Sequence, residues 1–137
     1  MNVFEEWPER WYGFYTRQNG TTDDGFPQFD DLVDLGWRPS DKDRLINYLK
    51  TADVAAVSGF ANIICPLCGI AEWNPSLSRS DGIWLWPRRL EHDVAAHQVR
   101  LPDQFVNHIR NAQYAPRSIK GIPPQNLPWP RIRMADK

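Results

Sequence analysis

Four side chains in this chain have the types and spacing to hold a metal ion: Cys65, Cys68, His92 and His97. Cys65-Pro66-Leu67-Cys68-Gly69 puts two thiols two residues apart. Both can ligate one ion if the backbone makes a tight knuckle, and Gly69 supplies the φ freedom such a turn needs. The full pattern is Cys-x2-Cys-x23-His-x4-His, whose end spacings suit a structural zinc site and whose middle is longer than that of a typical finger. Two thiolates would balance Zn²⁺ while the imidazoles stay neutral, a closed Cys2His2 set with structural Zn²⁺ as the implied cofactor. One geometric demand follows. Histidines at i and i+5 lie about 140° apart on an ideal helix, so His92 and His97 can share an ion only if the helix distorts in its last turn.

Other readings of the same letters stand beside this one. Two free cysteines and two unrelated surface histidines would give them too, and a redox Cys-x-x-Cys normally opens a helix after a strand, whereas Gly69 and a polar loop follow here. His108 is an ordinary helix histidine or a replacement for His97. Glu72, Asp81, Glu91 and Asp93 are the nearest acids, either turn and surface residues or partners that orient an imidazole. The chain carries no Gly-rich phosphate loop, no Gly-x-Ser-x-Gly elbow and no His-Glu-x-x-His, and no catalytic residues are assigned.

The elements that must position these groups are legible in part. Ser40 can cap a helix at about residues 41 to 51, with Asp41 and Asp43 in its first turn and Leu45, Ile46, Tyr48 and Leu49 inward. Residues 54 to 64 read as a strand or hairpin broken at Ser58-Gly59, and residues 70 to 78 as loop. After the Ser80-Asp81-Gly82 turn, Ile83-Trp84-Leu85-Trp86 reads as a strand covered on both faces. Pro87 suits the first turn of a helix running to about His97, with Leu90 and Val94 inward, and a second helix begins near Pro102 with Phe105, Val106 and Ile109 as its stripe. Phe29, Leu32, Val33 and Leu35 form one helical turn stopped at Gly36. From Ala115 onward Pro116, Pro123, Pro124, Pro128 and Pro130 leave an extended tail, draped over the domain or mobile.

The block Asp81-Gly82-Ile83-Trp84-Leu85-Trp86-Pro87, then His92, then His97-Gln98-Val99-Arg100-Leu101-Pro102 and Phe105-Val106 resembles a family of small uncharacterised bacterial proteins. These carry a similar Asp-Gly-x-Trp-x-Trp-Pro…His…His-x-Val-x-Leu-Pro-x-x-Phe-Val block after a Cys-containing turn. The resemblance spans about residues 41 to 110, and Trp84, Trp86, His92, His97 and Phe105 match it, while Asp93 stands where the family has Tyr. It implies no activity of its own. Its functional association is with accessory and immunity proteins of bacterial toxin systems.

Together these readings give an α+β fold: a small antiparallel sheet with packed helices and a zinc-knuckle, treble-clef-like site. The divisions are an aromatic, acidic segment (1–36), a zinc-knuckle domain (37–114) and a Pro-rich basic tail (115–137). Seven Trp and twelve Pro in 137 residues exceed ordinary usage and favour an aromatic core held by turns. Apolar runs are too short to span a bilayer and the first residues have no secretory pattern, so the expectation is a soluble cytoplasmic protein without a membrane partner. Net charge is −1, divided as −5 over residues 1–58 and +4 over the rest, far from the balance of a dedicated nucleic-acid binder. The leading functional expectation is a non-enzymatic interaction module of immunity or adaptor type, presenting the aromatic, acidic head to a basic toxin or effector. The alternatives are a nucleic-acid-binding zinc finger using Arg88, Arg89, Arg100, Arg110 and the basic tail, and a metal-dependent enzyme.

Overall fold

A computed structural model of the chain describes residues 3–14, 27–59, 63–64, 68–69, 71–73 and 76–130. Its order is α1 (Lys42–Thr51), β1 (Asp53–Gly59), β2 (Ile63–Ile64), β3 (Ala71–Trp73), β4 (Ser76–Ser80), β5 (Leu85–Pro87), α2 (Arg89–His97) and α3 (Asp103–Asn111), with short 3-10 turns at Phe29–Leu32 and Pro124–Asn126. β1, β4 and β5 form an antiparallel sheet in that order, and β2 pairs with β3 in a separate two-stranded ribbon. The expected α+β class is therefore present.

Three expectations fail locally. Residues 70 to 78, read as loop, contribute all of β3 and the start of β4. Ser-Leu-Ser-Arg-Ser gives little apolar alternation, yet β4 is the central strand, pairing Val57 with Leu77 on one side and Arg79 with Trp86 on the other. Ser40 does not cap α1. Asp41 occupies the cap position without a side-chain cap bond, because its carboxylate is turned to Arg110 and Tyr114 on the far side of the chain. Leu35 is 71% exposed and so stands outside the turn expected to bury it.

The aromatic head is core, not surface. Trp7, Trp11 and Tyr12 are buried, with Trp7 edge-on to both of the others at 5.5 and 5.2 Å. Residues 10–12 run parallel to β5: Leu85 N–H donates to the Arg10 carbonyl at 2.9 Å and Tyr12 N–H to the Leu85 carbonyl at 3.0 Å. Gly13 makes this approach possible, since at φ +96° a Cβ would meet Pro87 Cδ at 3.0 Å. The Tyr12 hydroxyl donates to the Arg100 carbonyl, and burial pushes its pKa well above the usual phenol range.

Behind β5, Trp84 stacks on Phe105 of α3, centroids 4.4 Å apart and planes 4° from parallel, and Trp86 packs against both Phe105 and Tyr48. Such offset aromatic contacts add to the area that the rings bury. The strand expected over Ile83–Trp86 begins only at Leu85; Trp84, Leu85 and Trp86 are buried, but Ile83 is exposed, so the expected cover is partial. The described part of the tail drapes over the domain: Ser118 Oγ and Ile119 N–H both bond Asp53 at 3.0 Å, and Leu127 is buried.

Candidate metal centre

Cys68, His92 and His97 are brought together. Each offers one ligand atom, and these atoms all lie within 4.8 Å of one another. The Cys68 sulfur is 3.4 Å from His92 Nε2, which matches the ligand–ligand edge of about 3.3–3.8 Å in a tetrahedron with ordinary Zn–S and Zn–N lengths. Cys68 is exposed, His92 buried and His97 half-buried, so the cluster lies where the turn between β2 and β3 meets α2. Gly69 adopts φ +77°, the left-handed conformation expected after the second cysteine, and a Cβ there would meet nothing, so the constraint is dihedral and not spatial. Cys65 lies outside the described residues, as does the conformation of Pro66 and Leu67.

The helix end explains how an i, i+5 pair converges. His97 is the last residue of α2, and Gln98 then turns left-handed at φ 55°, ψ 34°. Gln98 N–H bonds the Asp93 carbonyl, and Val99 N–H also reaches back to it at 3.2 Å, closing the helix end over a left-handed residue where glycine is usual. Gln98 holds this costly conformation through its side chain, whose Nε2 donates to the Asp34 carbonyl at 3.1 Å and to the Trp37 carbonyl at 2.9 Å. Its Oε1 accepts from Lys42 Nζ. The terminus of α2 is thus clamped to the loop before α1, and the His92 and His97 rings meet with centroids 5.0 Å apart.

The acids flagged near the motif have separate duties. Asp93 is buried and desolvation pushes its pKa up to about 7. Glu91 is also raised by burial, opposed by Arg79, whose Nε stands 3.5 Å from it. Asp81 pairs with His108 at 2.8 Å, which places His108 elsewhere and removes it as a replacement for His97. Glu72 is in β3, and its side chain is outside the described set.

Sequence reasoning missed one cluster. Asp81 Oδ1 accepts from the N–H groups of Ile83 and Trp84 at 2.9 and 2.8 Å, while Oδ2 accepts from the Tyr48 hydroxyl and contacts His108 Nε2. The Ser-Asp-Gly turn signal pointed to the backbone half of this arrangement. Nothing in the spacing pointed to Tyr48 or His108, 33 and 27 residues away.

Comparison with family models, curated proteins and solved structures returns no match. No helix among the described residues is long and apolar enough to cross a membrane.

Proposed function

We propose that this is a metal-stabilised interaction protein of immunity or adaptor type, in which a structural Zn²⁺ ties the β2–β3 ribbon to α2. The convergence of Cys68, His92 and His97 on one point carries the reading. A thiolate with two imidazoles suits Zn²⁺, and Cys65, three residues before the exposed Cys68, is the fourth ligand this reading requires. Zinc bound there would contribute its binding free energy to folding.

The partner side of the reading is narrower than the sequence suggested. Trp7, Trp11 and Tyr12 face inward, so the head cannot present them to a partner. What it does present is carboxylate: Glu5, Glu6, Glu9, Asp30 and Asp31 are exposed, and Leu35 projects beside them in the chain. An acidic surface of this kind favours a basic protein over nucleic acid. Arg100 and Arg110, counted toward a nucleic-acid surface, are instead held by Asp34, Asp103 and Asp41.

The test has two arms. Protein purified without added zinc should carry about one equivalent that survives dialysis, and Cys68→Ser should lose it; a metal-free parent that melts unchanged in chelator sinks the zinc assignment. Salt-sensitive binding to generic DNA, retained when Glu5, Glu6 and Glu9 are reversed to Lys, would sink the acidic-surface assignment.

A further inference from the structure

We propose that the cleft beside the Tyr48–Asp81–His108 cluster binds a small organic oxyanion, a molecule with a carboxylate or phosphate on an apolar body. The cleft measures about 340 Å³, at the lower end of the range for small-molecule sites. Its lining combines Tyr48, Ile83 and Ala112 with His108, Asn111 and Arg117.

The charge arrangement selects the ligand. Arg117 is exposed and has no carboxylate partner among the described residues, whereas Arg100 and Arg110 are both taken by acids. Among the described residues no carboxylate lines the cleft. Asp81 is 2% exposed and sits behind the wall with both oxygens occupied, Oδ1 by two backbone N–H groups and Oδ2 by Tyr48 and His108. It therefore touches the cleft only through the two lining side chains it holds, Tyr48 and His108. Assigning the Nε2 proton to the bond with Asp81 leaves Nδ1 without a protein partner among the described residues. The Arg117 guanidinium and the Asn111 amide form a donor set suited to an oxyanion. The Tyr48 ring, Ile83 and Ala112 supply apolar wall for the remainder of the molecule.

The site is independent of the zinc assignment and can be tested on the full-length protein by calorimetry at low salt. The probes are phenyl phosphate and benzoate, with benzyl alcohol as neutral control and inorganic phosphate as the headgroup alone. Saturable binding of phenyl phosphate or benzoate is expected, about tenfold weaker in Arg117→Ala, whose exposed side chain can be lost without unfolding the protein. Ile83→Glu, which adds a carboxylate to an exposed position of the wall, should abolish it. No saturable binding up to about 10 mM of either probe overturns the proposal. So does equal binding of benzyl alcohol, equal binding of inorganic phosphate, or undiminished affinity in Arg117→Ala.

Discussion

His97 follows His92 by five residues on one helix, yet their rings meet with centroids 5.0 Å apart because the helix stops at His97 and the chain turns left-handed at Gln98. The distortion that a shared ion demands is therefore present in the backbone, and it is maintained by bonds that involve neither histidine.

Gln98 is the residue on which this depends. Gln98→Ala keeps the strained φ and deletes the bonds to the Asp34 and Trp37 carbonyls, so a loss of about 1–3 kcal/mol is expected in denaturant unfolding. Gln98→Gly removes the strain along with the bonds and should cost less than the alanine variant. The reverse order would show that the side chain is not the clamp.

Metal removal should act through the same helix end. Chelator is expected to lower the melting temperature of the parent and to leave Cys68→Ser and His92→Ala unmoved from their own values, since neither retains the three described donors. Differential scanning calorimetry with and without chelator reads this directly.

Acid should weaken the contact between α1 and α3. Arg110, bonding Asp41 at 2.8 and 2.9 Å, holds that carboxyl far below the ordinary range; burial opposes this and the Tyr114 hydroxyl assists. A depressed folded pKa gives stability that is present above the unfolded value of about 4 and is lost as pH falls through the folded one. Asp41→Asn should therefore be less stable than the parent at pH 7 by about 1–2 kcal/mol, the lower part of the range because Arg110 is 44% exposed. The gap should narrow below about pH 4. A gap independent of pH in denaturant titrations would argue against the ion pair.

Tryptophans of core and tail should separate cleanly. Trp84→Ala deletes a fully buried ring stacked on Phe105 and should cost ~3–5 kcal/mol. Trp129→Ala removes a half-buried ring whose one bond is to the nearby Pro124 carbonyl, and should cost below about 1.5 kcal/mol by the same unfolding assay.

What the sequence revealed follows from the range of the forces involved. α1, α2, α3 and β5 were legible because their apolar spacing, Pro and turn residues act within a few positions. β4 was not, since Ser-Leu-Ser-Arg-Ser becomes a strand through partners on either side, one of them more than twenty residues earlier. Asp41 looked like a first-turn acid favoured by the helix dipole, and its partner lies 69 residues away. The histidine pair was visible because both members sit on one helix. The Asp81–His108 pair, divided between a turn and another helix, was not.

The pairing of residues 10–12 with Leu85 also fixes an order of events during synthesis. Trp7, Trp11 and Tyr12 are made before β5, and the strand that pairs with residues 10–12 emerges more than seventy residues later. At ordinary elongation rates the three rings stay without their partner for on the order of ten seconds. During that interval three rings that the folded protein buries are exposed on the nascent chain, the condition that favours aggregation.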